Sequence, residues 1–129
     1  MIKVFYDYNE GKIKLVNSEI AIDELAWNPH KQYSGVFLKH LIKGEETENK
    51  ISCHLVKIEA GAEIATHVHE KNLELHEIIS GKGQGFLKTK KVEYIPGLTV
   101  VVPENMQHRV IANSNQPLYL LAKFLPALI

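Results

Sequence analysis

Cysteine is almost absent from this sequence, and so are long apolar runs and any excess of charge of one sign. Cys53 is the only cysteine among 129 residues, which excludes an internal disulfide and suits a reducing compartment. Fifteen basic and fifteen acidic residues cancel, so the charge offers no general attraction for nucleic acid or anionic membranes. No apolar run reaches the roughly 18 residues of a membrane span or resembles a signal peptide. We therefore expect a soluble, cytoplasmic protein with neither nucleic acid nor membrane as a partner.

The chain is rich in short segments with strand character. Clusters of Gly, Asn, Pro and Glu separate apolar and β-branched runs at intervals typical of a sandwich or barrel. The strands that this pattern predicts are Ile2–Tyr6, Lys12–Val16, Val36–Ile42, Ile51–Ile58, Glu74–Ser80, Gly85–Lys90, Leu98–Val102, Gln107–Ala112 and Leu118–Phe124. Only Ser18–Trp27, with Ser18 as a possible cap, predicts a short helix. The sequence thus predicts one all-β domain, a sandwich or barrel.

Two histidine-bearing segments carry the chemistry. The first runs from Gly61 through His67 and His69 to Gly81, and the second runs from Gly97 to His108. Side chains alternate along an extended chain, so His67 and His69 lie on one side and can bind the same cation. Adding Glu74 and His108 would give three nitrogen ligands and one oxygen ligand, a set that suits a divalent transition metal.

These segments resemble the two motifs of the cupin superfamily. The first motif reads G, five residues, HxH, three or four residues, E, six residues, G, and this chain meets every spacing from Gly61 to Gly81. The second motif reads G, five residues, PxG, two residues, H, three residues, N. Gly97, Pro103 and His108 match it, whereas Asn105 replaces the glycine and Asn113 lies one position late. Asn tolerates the left-handed backbone better than other non-glycine residues do. No role is carried over to Asn113.

The resemblance implies a jelly-roll barrel, or double-stranded β-helix, with a metal centre. It assigns His67, His69, Glu74 and His108 as ligands of one Fe, Mn, Ni, Co, Cu or Zn ion. Residues 1–50 are then N-terminal strands that pack on the barrel or on a partner, and residues 51–129 form the barrel core. Cupins often pair through N-terminal strands, so the resemblance also implies a homodimer.

Strand alternation leaves two candidates for the carboxylate ligand. Glu74 satisfies the spacing to Gly81 and brings His76 to the same side of the strand. A shift by one residue would instead turn Leu75, Glu77 and Ile79 inward, which makes Glu77 the rival ligand.

His76 and His54 are the candidate catalytic residues. His76 would lie one strand step from Glu74. There it would act as a general acid or base, as an additional ligand or as a partner of the ligands. The alternative is a histidine that only forms a hydrogen bond to the backbone. His54 would line the pocket if Val56 and Ile58 point inward, although a buried, hydrogen-bonded core histidine is the alternative.

Other conspicuous residues favour structural roles. Cys53 is expected to be a small buried hydrophobe, and the stretch from Trp27 through His30 to Tyr33 is expected to pack over a barrel face, while His40 is expected at the surface or in packing. The run Gly81–Gly85 lacks the ending of a phosphate-binding loop and predicts a hairpin between two strands.

Two functions fit these features. The first is a metal-dependent enzyme that acts on a small oxygenated organic molecule, with dioxygenase or decarboxylase chemistry as the resemblance implies. The second is a non-catalytic barrel that binds or senses a small molecule. An acid or base beside the metal would distinguish them, and His76 and His54 are the residues that could supply it.

Overall fold

The regular secondary structure of the protein is almost entirely β-strand. The computed structural model describes residues 3–129. Twelve strands are present in this range: β1 Lys12–Lys14, β2 Glu19–Ala21, β3 Asn28–Pro29, β4 Val36–Ile42, β5 Ser52–Ile58, β6 Glu63–His67, β7 Leu73–Ser80, β8 Gly83–Leu87, β9 Lys90–Tyr94, β10 Thr99–Val102, β11 His108–Ala112 and β12 Leu118–Leu125. Helix α1 spans Lys3–Asn9, and two 3₁₀ turns span Ile22–Glu24 and Gly44–Glu46. The predicted all-β class is confirmed.

The strands form two main sheets that enclose the core. One sheet has six strands in the order β10–β7–β12–β5–β4–β3, and the other has four in the order β6–β11–β8–β9. The strand pairs are antiparallel, and β1 and β2 form a separate hairpin-like pair. This arrangement is the expected jelly-roll barrel, in which the inward-pointing side chains of both sheets meet.

Two apolar clusters stabilise the structure. The larger lies between the sheets and joins Val56, Ile58 and Leu120 of the six-stranded sheet to Val110 of the other. The smaller lies on the outer side of the six-stranded sheet, where the N-terminal segment covers it with residues such as Trp27. Cys53 belongs to this outer cluster, and burial raises the pKa of its thiol to about 11. An inert, buried cysteine is therefore what the structure contains.

The N-terminal elements differ from the sequence prediction. Lys3–Asn9 is helical, so the strand predicted over Ile2–Tyr6 is wrong, and Ile2 itself lies outside the described residues. A short apolar run is compatible with a strand and with a helix. In the folded protein this segment is helical and contacts β7. The helix predicted over Ser18–Trp27 is also wrong, because β2 pairs with β1 and only the Ile22–Glu24 turn remains.

The glycine-rich connection between β7 and β8 is a corner rather than a hairpin. β7 belongs to the six-stranded sheet and β8 to the four-stranded sheet, so the two strands are not paired with each other. Gly81 has a φ of +82°, and a Cβ there would clash with the backbone carbonyl oxygen of Pro117. The chain turns from one sheet to the other at a point where backbone approaches backbone, which only glycine allows.

In the described part of the chain, no helix has both the length and the apolar character needed to cross a bilayer.

The corner at Gly81 generates a stability prediction. Gly81→Ala combines a left-handed φ, which costs about 1–2 kcal/mol for a residue with a Cβ, with a backbone clash that must be relieved by movement. We expect a loss of more than about 3 kcal/mol in the free energy of unfolding, measured by urea denaturation. Gly97→Ala is the matched control, because its φ is +93° but nothing lies within 4 Å of the added Cβ. Equal losses in the two variants would contradict the role of the Pro117 contact.

Candidate metal centre

Three histidines and one glutamate meet between the two sheets. His67 ends β6 and His108 begins β11, and these two residues are cross-strand partners. Glu74 lies on β7 of the opposite sheet, and His69 lies in the connection that follows β6. The four side chains each offer one ligand atom, and these atoms lie within 4.8 Å of one another. The fold thus brings together the four residues that the sequence nominated as ligands.

Backbone carbonyls orient two of the rings. The Nδ1 atom of His67 lies 2.8 Å from the carbonyl oxygen of Ala65, and Nδ1 of His108 lies 2.9 Å from that of Met106. A carbonyl oxygen only accepts, so both Nδ1 atoms carry the proton and both Nε2 atoms have a free lone pair in the neutral ring. Hydrogen bonds of this kind hold the tautomer that a metal-binding histidine requires.

The turn that holds His69 uses the residue that departs from the cupin pattern. Asn105 has a φ of +61°, and its backbone N–H donates to the carbonyl oxygen of His69 over 2.8 Å. Asn therefore takes the left-handed conformation that glycine takes in the motif. Asn tolerates this conformation better than other non-glycine residues do, so the departure from the motif is compatible with the turn.

Glu74 and His108 place two acceptor atoms against each other in a buried location. Oε1 of Glu74 lies 3.0 Å from Nε2 of His108, both side chains are almost fully buried, and neither atom has a standard hydrogen-bond partner. Two lone pairs at this distance repel unless a cation lies between them or near them. Either a proton or a metal ion meets this requirement.

The pKa values follow from the same contacts. Burial disfavours the charged imidazole, but the Glu74 carboxylate and the Met106 carbonyl outweigh it and raise the pKa of His108. Burial would likewise raise the pKa of Glu74, yet His76 and His108 hold that pKa far below its ordinary value. Burial lowers the pKa of His67 to about 4, so this ring is neutral at pH 7 and available as a ligand.

The separations suit a transition metal. Two ligand atoms that each lie about 2.1 Å from one ion are about 3 Å apart at right angles and about 4.2 Å apart when opposite. Oε1 of Glu74 lies 3.0 Å from His108 and 3.7 Å from Nε2 of His69, close to that range. Nitrogen and oxygen donors without a thiolate fit the divalent metals expected from the sequence. The residues present therefore fit a metal ion.

The structure distinguishes the two glutamates on β7. The Glu74 side chain is buried among the histidines, whereas Glu77 forms an ion pair with Lys123 and is about one-third exposed. Glu77 therefore lies outside the cluster, and the strand register places Glu74 within it.

His76 forms a hydrogen-bonded chain behind Glu74. Its Nε2 lies 2.7 Å from Oε2 of Glu74, and its Nδ1 lies 2.7 Å from the Tyr94 hydroxyl. Burial, together with the Glu74 charge, raises the pKa of Tyr94, so the hydroxyl keeps its proton. In the neutral ring, Tyr94 therefore donates to His76 and His76 donates to Oε2, which leaves Oε1 directed at the cluster. His76 acts here on the orientation of Glu74.

His54 points to the inner side of β5 but lies beyond the cavity. It is fully buried and packs edge-on against Phe124, whose ring lines the cavity. Its Nε2 lies 2.9 Å from Oγ of Ser52, and its Nδ1 lies 2.8 Å from Nδ1 of His40. His54 therefore lies on the inner side of β5, as strand alternation predicted. It does not line the cavity, so no contact there supports a catalytic role. The geometry is that of a hydrogen-bonded core histidine.

A cavity of about 250 Å³ opens beside the cluster. Its wall includes His30, Gln32 and Tyr33, which lie in the connection between β3 and β4. The Tyr33 ring lies 6.2 Å from the His67 ring, centroid to centroid, and 4.5 Å from the His30 ring. Trp27 and Tyr33 pack on the apolar clusters, as expected of this stretch, and His30, Gln32 and Tyr33 in addition line the cavity. No local signal marks these residues, because only the pairing of β4 with β5 brings the connection to the cavity.

The chain behind Glu74 yields a prediction about metal affinity. Tyr94→Phe removes the hydroxyl that donates to His76 but keeps the ring that fills the space beside Gly85. We expect metal affinity to fall by about 10- to 100-fold, the range found when partners of metal ligands are removed. Competition with a chromophoric chelator would measure it, with thermal unfolding as the check on folding. Unchanged affinity in the folded variant would contradict a positioning role for Tyr94.

The buried His54 ring yields a prediction about pH. Burial and the neighbouring His40 lower the pKa of His54 to about 4. Its folded-state pKa lies below the unfolded value of about 6.5, so the stabilising contribution is complete above pH 6.5 and is lost as the pH falls towards 4. In the metal-free protein, the lowered pKa of this residue alone should reduce the free energy of unfolding by about 2 kcal/mol when the pH falls from 7 to 5.

Urea denaturation at the two pH values would measure this loss, and His54→Gln should reduce it by that amount. His30→Gln, at a more exposed histidine, is the control and should keep most of the pH dependence. A His54→Gln protein with the wild-type pH dependence would sink the prediction.

Comparison with known proteins agrees with this architecture. The family model described as "Cupin domain" matches residues 54–124. None of the curated sequences compared with the chain matches it significantly. The structure of KdgF from a Halomonas species is similar, with a TM-score of 0.72, 21% identity, and coverage of 88% of this chain and 94% of that one.

Two further structures extend the comparison. A predicted oxalate decarboxylase from Thermotoga maritima has a TM-score of 0.73 and 24% identity, and the match covers 81% of this chain and 95% of that one. The polyketide cyclase RemF from Streptomyces resistomycificus has a TM-score of 0.73 and 14% identity, with coverage of 88% and 79%. At these identities the structures establish a common fold, and proteins with this fold differ in activity. With the family match extending over more than half of its residues, this chain belongs to the cupin family.

Proposed function

We propose that this protein is a metal-dependent enzyme that acts on a small oxygenated organic molecule, with chemistry of the dioxygenase or decarboxylase type. The observation that carries the proposal is the buried contact between Oε1 of Glu74 and Nε2 of His108, beside two further histidines and an open cavity. A metal ion bound there would supply Lewis acidity or, if it is redox active, chemistry with dioxygen. A predicted oxalate decarboxylase among the similar structures supports a reaction of this general kind.

The residues around the cluster have separate tasks in this proposal. His67, His69, Glu74 and His108 hold the ion, with one negative charge to offset two positive charges. The apolar wall, which includes Phe124, excludes water from one side of the substrate. His30, Gln32 and Tyr33 bring neutral polar groups to the same cavity and are the side chains there, apart from the cluster and His76, that could hydrogen-bond the substrate.

A non-catalytic binding protein is the second candidate. One observation favours it: both ring nitrogens of His76 are already engaged, by Glu74 and Tyr94, and His54 does not line the cavity. Neither histidine is therefore poised as an acid or base. Product formation by the metal-loaded protein would exclude this candidate, whereas reversible ligand binding without turnover across aerobic and anaerobic screens would support it. The homodimer and the cytoplasmic location expected from the sequence stay predictions.

Metal content provides the primary test. Untagged protein should contain close to one equivalent of a divalent transition metal, detected by elemental analysis, or should take it up on reconstitution. The variant His67→Ala, His69→Ala should lose it, because it removes two of four ligands. Absence of metal from the wild type even after reconstitution would refute the metalloenzyme proposal.

Two substitutions on β7 provide a matched pair. Glu74→Gln removes the only charged oxygen ligand and should weaken metal binding by at least about 100-fold, since an uncompensated dipositive ion is then held in a largely buried site. Glu77→Gln makes the same chemical change three residues away, at a carboxylate paired with Lys123, and should leave the affinity unchanged. The opposite order of effects would transfer the ligand assignment to Glu77. Equal effects would show that general charge, rather than coordination, controls metal retention.

A further inference from the structure

The residues that line the cavity beside the cluster indicate which class of substrate it can bind. This inference rests on the proposed metal site. Nine of its sixteen lining residues are apolar. They come from both sheets and from the C-terminal segment: Val36, Leu38, Val56, Ile64, Val68, Leu120, Ala122, Phe124 and Leu128. Four of the remaining seven are His67, His69, Glu74 and the neighbouring His76, so most polarity is concentrated at the metal end.

The cavity wall offers no cationic side chain. Neither lysine nor arginine is among the lining residues of the described chain, and burial lowers the pKa of His30, so this ring is neutral at pH 7. A bound divalent ion and the Glu74 carboxylate together carry one net positive charge. That charge matches a single anionic or strongly polarised head group. A second anionic group would be taken out of water without a partner, which is costly.

The neutral polar residues at the cavity wall add one further constraint. Nδ1 of His30 accepts a hydrogen bond from the backbone N–H of Gln32 over 3.1 Å, so its neutral ring carries the proton on Nε2. His30 and Tyr33 can therefore pair with a hydroxyl or carbonyl group. A sugar-like ligand with many hydroxyls would instead place several of them against Val36, Leu38 and Val56, where no partner exists.

We propose that the cavity binds a small molecule with one metal-chelating head group and an uncharged, largely apolar body. The cavity volume of about 250 Å³ lies just below the roughly 300–1,000 Å³ typical of sites for drug-sized ligands, so the body is no larger than about one substituted ring. Compounds with a second anionic group remote from the chelating head, and polyhydroxylated acids, do not belong to this class, because the additional charge or hydroxyl groups would find no partner in the cavity. The class includes aromatic and short aliphatic compounds that carry adjacent oxygen atoms.

Three hydroxamic acids with the same chelating head test this proposal on metal-loaded protein by isothermal titration calorimetry. Benzohydroxamate should bind at least about tenfold more tightly than acetohydroxamate, because its ring buries more apolar surface. 4-Carboxybenzohydroxamate should bind at least about tenfold more weakly than benzohydroxamate, because its carboxylate finds no cation in the cavity. Equal affinities, or tighter binding of the carboxylated compound, would overturn the assigned substrate class.

A pair of variants tests whether the lack of a cation in the cavity causes the weaker binding of the carboxylated compound. Leu38 lines the cavity and is only partly buried, so Leu38→Lys adds a cation with little strain. This variant should recover about tenfold in affinity for the carboxylated compound, whereas Leu38→Met, of similar volume and without charge, should not. Recovery in both variants, or in neither, would contradict the argument.

Metal-free protein separates this inference from the function on which it rests. Benzohydroxamate should bind at least about 100-fold more weakly without the ion if the head group chelates it. Equal binding with and without metal would refute the chelating head group and the metal-centred function, even with the apolar ranking preserved. Metal-dependent binding with equal affinity for all three compounds would retain the metal centre and refute only the apolar substrate class.

Discussion

The contact between Glu74 and His108 is the constraint on which the rest of the site depends. It joins one strand from each sheet and places two acceptor atoms 3.0 Å apart in a buried position. Such a contact is unfavourable in isolation, because both groups lose water and their lone pairs oppose each other. A proton or a metal ion between the two atoms removes this repulsion, and the neighbouring histidines give the position the ligand set that could hold a metal ion.

Hydrogen bonds to the ligand side chains, on the sides that point away from the cluster, maintain this contact. Carbonyl oxygens at Ala65 and Met106 fix two imidazole tautomers, and the chain from Tyr94 through His76 fixes the carboxylate. Ala65, His76 and Tyr94 lie within strands, and Met106 lies in the connection that leads into β11, so these four supporting groups are oriented without any ion. Preorganisation of this kind lowers the cost of binding a metal. The open side of the site faces the cavity, whose wall is largely apolar.

Sequence reasoning was most successful where local pattern and chemistry coincide. The spacing around His67 and His69 indicated a shared cation, and its resemblance to the cupin motifs implied the jelly-roll barrel and the set of ligands. It was least successful where the outcome depended on packing: α1, the corner at Gly81 and the isolation of His54 all follow from contacts between segments distant in sequence. A short apolar stretch does not contain enough periodicity to distinguish helix from strand. Likewise, strand alternation predicts which face of the sheet a side chain lies on, but not whether that side chain reaches the cavity.

The sequence by itself determined the fold class and the three candidate histidine ligands, and it narrowed the carboxylate to Glu74 or Glu77, because residue type and spacing are local properties. Only the tertiary structure decided between Glu74 and Glu77, since the register of β7 places one among the histidines and the other beside Lys123. It also brought His30 and Tyr33 to the cavity, through the pairing of β4 with β5. Cavity walls are assembled from segments that are far apart in the chain, so no local pattern encodes them.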